Sequence, residues 1–277
     1  MAKYIVTDST SDLPDSFKKE NIIKIVPLNV HINDKTFKDG VDLTNKNYYH
    51  RLRDEAITPL TSQPSVGDFV NVFDSFAGGD EIVTVLISSH LSGTVQSALL
   101  AREIVLQKKE LKIEIIDSLS ASIGLGFQVM RVFEMIHMQK YMTEIKVELL
   151  RIQDKSRIFF VVDNLEYLYR GGRISNVSKQ IGNLLQLKPI LTLGEGKIEV
   201  FDKVRTKHKA VRQILNLAEQ DVSNIEKLAI LHIDNEEEAL QIVEEIKLFY
   251  QGTILITEPG PVIGTHAGPG TIGLAYY

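Results

Sequence analysis

Short apolar runs rich in β-branched residues alternate along the chain with segments whose apolar positions recur at helical spacing. The runs are Tyr4–Val6, Glu81–Ile87, Lys112–Ile116, Arg157–Val162, Leu228–Ile233 and Thr253–Ile256. Their nearly continuous apolar character predicts strands buried on both faces. Glu236–Tyr250 places Leu240, Val243, Ile246 and Tyr250 on one helical stripe, with Glu237, Glu238, Glu244 and Glu245 elsewhere. Lys207–Leu217 does the same through Val211, Ile214, Leu215 and Leu217. This alternation predicts an α/β architecture with crossover connections. One segment differs: Pro189–Phe201 has two β-like runs around Gly194-Glu-Gly-Lys197, a hairpin signal. A mainly parallel, three-layer α/β/α domain over residues 1–155 is therefore expected to precede a mixed-sheet α/β domain over 156–277. The boundary falls between the helical pattern Ile145, Leu149, Ile152 and the run starting at Arg157.

Composition narrows the function. The 277 residues include 31 Lys and Arg against 36 Asp and Glu, a net charge of −5 that argues against a nucleic-acid coat. Cysteine is absent, which excludes disulfides, thiolate catalysis and cysteine-ligated metals. The N-terminus reaches Asp8 before an apolar leader develops, and no run approaches about 18 apolar residues. A cytoplasmic protein without a transmembrane segment is expected.

Four loops and one helical segment carry candidate chemistry. Thr58-Pro-Leu-Thr-Ser-Gln-Pro-Ser65 clusters hydroxyls on a stretch stiffened by two prolines, with Ser65 also suited to cap a helix. Ile87-Ser-Ser-His-Leu-Ser-Gly-Thr94 lies where a strand gives way to a helix, the place where α/β sheets bind ligands and where free N–H groups suit an anion. Gly260–Tyr276 packs five glycines and two prolines around His266 in a tight path. Arg170, Arg173, Lys203, Arg205, Lys207, Lys209 and Arg212 form a basic cluster suited to phosphate, to an acidic partner or to a solvated face. Met130, Met135, Met138 and Met142 suit either a greasy cavity or ordinary core packing.

Taken together, several motifs resemble the DegV family of bacterial fatty-acid-binding proteins, the lipid-carrying subunits of fatty acid kinase. They are Thr7-Asp-Ser-Thr-Ser-Asp12, Thr61-Ser-Gln-Pro-Ser65, Ser88-Ser-His-Leu-Ser-Gly-Thr94, Asp117-Ser118, Gly171-Gly-Arg-Ile-Ser175, Lys188-Pro189, Val204-Arg-Thr-Lys207 and the glycine-rich end with His266. His90 stands where many members have glycine. The resemblance implies two α/β domains holding a long acyl chain, with its carboxylate at Thr61, Ser62, Ser92, Gly93, Thr94 and His266. It also implies that Arg173 and Arg205 lie exposed near the carboxylate and a partner fatty acid kinase. The bound fatty acid is then a ligand, and no cofactor or metal is expected.

The physical chemistry agrees. Burying about fourteen methylenes at about 0.8 kcal/mol each gives roughly 11 kcal/mol before association costs. The head group needs donors rather than a metal. The chain has no G-x-x-x-x-G-K-[ST] loop, so nucleotide would come with the partner. The alternative is an acyl or ester hydrolase with Ser92 as nucleophile and His266 as base. Against it, His90-Leu-Ser-Gly-Thr94 lacks the G-x-S-x-G elbow.

Overall fold

The apolar runs become the inner strands of two sheets. A computed structural model describes residues 2–54, 57–173 and 187–277. Its first part runs β1 (Lys3–Asp8), a 3-10 turn (Ser9–Ser11), α1 (Asp15–Lys18), β2 (Ile23–Val26), β3 (Asn29–Ile32), β4 (Lys35–Lys38), α2 (Asn45–Asp54) and β5 (Leu60–Ser62). There follow α3 (Val66–Asp74), β6 (Glu81–Leu86), α4 (Thr94–Leu106), β7 (Lys112–Asp117), α5 (Ile123–His137) and α6 (Met142–Lys155). The remainder is β8 (Arg157–Val161), α7 (Glu166–Arg170), β9 (Lys188–Gly194), β10 (Lys197–Val204), α8 (Lys207–Asp221), β11 (Leu228–His232), α9 (Glu236–Ile246), β12 (Ile254–Thr257), α10 (Pro261–Ala267) and β13 (Ile272–Tyr276).

The α/β class holds, with a parallel sheet and a separate mixed sheet. Strands β2-β1-β6-β7 pair in that order, all parallel. The second sheet has the order β10-β9-β8-β13-β11-β12, with β13 antiparallel to both neighbours and β11 parallel to β12. The expected hairpin is β9–β10, joined by Glu195 and Gly196, both at positive φ, as a two-residue turn requires. A third sheet, β4-β3-β5, is small and antiparallel and has no counterpart in the sequence expectations. Of the expected stripe of α9, Val243, Ile246 and Tyr250 are buried as expected, whereas Leu240 faces solvent and Ala239 and Ile242 join the buried face.

Three apolar clusters hold these layers. Phe69, Phe73, Ala98 and Ala101 of α3 and α4 cover one face of the parallel sheet through Val6 and Ile82. Helices α8 and α9 cover the outer face of the mixed sheet, meeting Phe159, Ile230 and Leu274. The largest cluster lies between the sheets and joins Ile5 and Val83 of the first to Phe160, Ala229 and Ala275 of the second. Helix α5 occupies this space, touching β1, β6 and β13. Its residues Ile123 to Met130 are all buried, the pattern of a helix surrounded by protein. Met130 and Met135 belong to this core while Met138 is exposed, so the methionines follow the core-packing alternative.

The order β2-β1-β6-β7 reverses direction between β1 and β6, which opens a crevice at their carboxyl ends. Asp8 closes its base. One carboxylate oxygen accepts the Thr10 N–H at 3.0 Å and the other accepts the Ile87 N–H at 2.7 Å, so both loops leave the sheet in fixed directions. Burial outweighs these hydrogen bonds and raises the Asp8 pKa to about 6. Ser65 caps α3 through a reciprocal pair with Asp68, which fixes the end of the loop that starts at Thr58.

Candidate functional site

A cavity of about 240 Å³ lies beyond this crevice, between the parallel sheet and the inner face of the mixed sheet. Leu28, Ile87 and Leu91 line it from the first half of the chain, and Ile158, Phe160, Leu193, Leu231 and Ile233 from the second. Its walls are mostly aliphatic. Thr61, Ser62, Gln63, Ser92, Arg173 and His266 supply most of the polar lining.

These polar groups are bonded to one another or to each other's loops. His266 Nε2 lies 2.7 Å from Thr61 Oγ1, a contact between residues 205 positions apart. Arg173 Nε donates to the Leu91 carbonyl at 3.2 Å, next to Ser92, and Arg173 Nη1 donates to the Gly171 carbonyl at 2.5 Å. Ser62 Oγ lies 2.8 Å from His31 Nε2 and accepts from Asn29 Nδ2 at 3.2 Å, both on β3. The small antiparallel sheet thus serves to aim the Thr61–Ser62 strand into the cavity. Ser92 Oγ lies 2.8 Å from Thr94 Oγ1.

His266 is held by its helix. Asp12 accepts the Gly260 N–H at 2.8 Å at the start of α10, and Tyr48 Oη lies 2.6 Å from Thr265 Oγ1. Tyr49 donates to the Pro259 carbonyl just before the helix. The imidazole lies against Gly171, where a Cβ would come within 2.0 Å of Nδ1; only glycine leaves room for the ring. Burial, reinforced by the charge of Arg173, lowers the His266 pKa to about 3, so the ring is neutral at physiological pH. Burial also lowers the Arg173 pKa from its ordinary value, but a guanidinium stays cationic near neutrality. Among the described residues no carboxylate forms an ion pair with Arg173, so this end of the cavity carries a positive charge beside neutral donors.

The candidate residues thus divide into three groups. Thr61, Ser62, Ser92 and His266 come together in the cavity wall. Gly93 and Thr94 stand behind them: Gly93 packs against the Gln63 amide, and the fully buried Thr94 supports Ser92. The two arginines separate, contrary to the expectation that both are exposed near the site. Arg173 is half-buried in the wall, whereas Arg205 is exposed on the turn between β10 and α8 and does not line the cavity. Ile174 and Ser175 of the Gly171–Ser175 motif lie outside the described residues.

The basic cluster does not persist as a set of free cations. Arg170 pairs with Glu166 at 2.9 Å, Lys207 with Glu238 at 2.8 Å and Asp163 at 3.2 Å, and Arg212 with Glu245 at 2.9 Å. Carboxylates from other segments reach Lys207 and Arg212, which their local sequence did not signal. Sequence reasoning also missed Gln63, Leu91 and Gly171. Gln63 and Gly171 stood inside quoted motifs without an assigned role, and Leu91 acts through its backbone carbonyl.

The whole chain also resembles known proteins. A family model described as uncharacterised proteins of the DegV family matches residues 3–277. A DegV domain-containing protein of Clostridium acetobutylicum is 40% identical over 281 residues, covering 100% of this chain and 98% of its own. Protein DegV of Bacillus subtilis is 32% identical over 277 residues, covering 98% and 97%. Its crystal structure, described as that of a fatty acid binding protein, superposes with a TM-score of 0.91 at 32% identity, over 100% of this chain and 99% of that one. A stearic acid-binding protein of Eubacterium ventriosum gives a TM-score of 0.88 at 26% identity, over 100% and 98%. From residue 3 to residue 277, the chain belongs to the DegV family.

Proposed function

We propose that the chain binds one long-chain fatty acid in the cavity between its sheets and presents the carboxylate to a partner kinase. The observation that carries this reading is the polar cluster of Thr61, His266, Arg173 and Ser92 on a mostly aliphatic cavity. An acyl tail gains by leaving water along the Ile158, Phe160 and Leu231 wall. The carboxylate takes hydrogen bonds from the Thr61, Ser62 and Ser92 hydroxyls and from neutral His266, and Arg173 balances its charge. Gly93 and Thr94 hold the Ser92 loop. The exposed Arg205 meets the partner, and a carboxylate oxygen attacks the terminal phosphoryl group of the partner's nucleotide to give acyl phosphate and nucleoside diphosphate. The protein then acts in the cytoplasm as a substrate carrier. No helix among the described residues is long and apolar enough to cross a membrane.

Similarity to structures described as fatty acid binding proteins supports the lipid. Site geometry also disfavours the hydrolase alternative. Ser92 bonds to Thr94 and His266 to Thr61, and an imidazole with a pKa of about 3 is a weak general base. Mass spectrometry of an organic extract of the purified protein is expected to show about one fatty acid per chain. An extract without acyl chains, together with no thermal stabilisation by palmitate or oleate, overturns the reading. Acyl-phosphate formation with the kinase is expected to fall in Arg205→Ala while bound lipid is unchanged; unchanged yield removes Arg205 from the partner contact.

A further inference from the structure

The cavity is not the only large space against the mixed sheet. A second cleft of about 640 Å³ lies beside it, lined by Ser118, Ser120, Gln128, Gln153, Thr192 and Tyr276. It is more polar than the first, although Leu119, Phe159, Phe201 and Leu217 also line it. Among the described residues, Ile158 and Leu193 alone line both spaces. They sit on adjacent antiparallel strands, β8 and β9, one step along the ladder from the pair Phe159–Thr192, which places them opposite each other. Leu193 in turn pairs with Ile198 on β10, so an aliphatic row crosses three strands at this level. The row is closed from above by α5. A Cβ at Gly124 would come within 2.3 Å of Ile158 Cδ1, so the isoleucine reaches the helix backbone with no room to spare.

We propose that Ile158 and Leu193 form a partition that sets the maximum acyl chain length, with the second cleft as the space kept from the tail. This rests on the fatty-acid reading above and adds its length selectivity. A tail that reaches the partition has buried all the methylenes the cavity accepts. A longer one must bend or displace a wall braced against α5. Beyond the wall stand Ser120 and Ser156, whose buried hydroxyls have no hydrogen-bond partner among the described residues and favour water over methylene. The partition therefore separates the aliphatic cavity from the more polar cleft, and truncating either side chain joins them.

Leu193 is only half-buried, so Leu193→Ala is the first variant, with Ile158→Ala as the second. Each protein is delipidated, offered an equimolar mixture of saturated acids from about twelve to about twenty-two carbons, re-isolated and extracted for mass spectrometry. The unaltered protein is expected to show a cut-off at the long end. The variants are expected to shift it upward, gaining at most about fourfold for each further methylene buried in the opened space. Leu193→Phe, which thickens the wall, is expected to move it toward shorter acids. Folded variants that bind lipid with an unchanged length profile overturn the partition alone. Absence of lipid from the unaltered protein overturns the binding reading, and the partition with it.

Discussion

Replacing Gly171 with alanine isolates the imidazole. Gly171 has helical backbone angles, φ −70° and ψ −11°, so alanine fits without backbone strain and should favour the end of α7 by about 0.5–1 kcal/mol. The new Cβ would stand 2.0 Å from His266 Nδ1 and 2.7 Å from Cε1. Ordinary contact begins near 3.4 Å, so the ring must retreat by more than an ångström. Such a shift breaks the 2.7 Å bond to Thr61, at a cost of about 1 kcal/mol. The two effects nearly offset, and the melting temperature of the lipid-free protein should change little. Binding is different. A donor to a charged carboxylate contributes about 1.5–3 kcal/mol, so affinity for palmitate should fall roughly ten- to hundredfold. Titration of delipidated protein with a fluorescent fatty acid, beside a thermal melt, reads both quantities. The same substitution in a His266→Ala background should have no effect on affinity, because no ring remains to be displaced. Unchanged affinity in the single variant, or an equal loss in both backgrounds, refutes the reasoning.

Three further outcomes are expected. Burial raises Asp12 to about 7 and Asp8 and Asp39 to about 6, so the folded protein holds protons that the unfolded chain has released; their stabilisation is present at low pH and lost as pH rises through these values. His266, depressed to about 3, opposes this below about pH 6.5, but three carboxylates outweigh one imidazole; the melting temperature should rise from about pH 8 to about pH 5 and the rise should shrink in Asp12→Asn, whereas a steady fall over that range would contradict the burial argument. Arg173→Ala should weaken fatty-acid binding, as measured by the same fluorescent titration, whereas Arg205→Ala, exposed and outside the cavity, should leave it intact; equal effects would show that burial does not distinguish them. Ser65→Ala removes one half of the capping box on α3 and should cost about 1 kcal/mol in denaturant unfolding, and a cost near zero would show that Asp68 alone suffices.

How much was readable from sequence depended on how each residue is buried. Strands β6 and β11 are apolar at nearly every position because both faces are covered, and such runs are conspicuous. Strands β3 and β5 were missed because they are three or four residues long and carry polar side chains where they point into the site. Helix α10 and strand β13 lie in a segment whose glycines and prolines disguise regular structure; its glycines make room for rings from elsewhere, as Gly264 does for Tyr49. The hydroxyls of Thr61 and Ser92 could be singled out locally. The meeting of Thr61 with His266 across about two hundred residues was legible only through the family resemblance, because no spacing encodes a contact between separate loops. The division of the arginines was hidden for the same reason. Arg173 and Arg205 look alike in sequence, and it is the Leu91 and Gly171 carbonyls, brought close by the fold, that hold the first in the cavity wall.

Strand β13 has a consequence for the order in which this molecule can assemble. It lies between β8 and β11 and is the last strand in chain order among the described residues. Without it, the mixed sheet is two separate fragments, β10-β9-β8 and β11-β12, each with an open edge. A chain that ends before Ile272 is therefore expected to leave the two fragments unjoined, with their inner apolar rows uncovered. Pairing Val161 with Ile272 closes a loop of more than a hundred residues, which makes this a slow, entropically costly step. A nascent chain stalled before β13 is the species for which aggregation and chaperone capture are expected to peak.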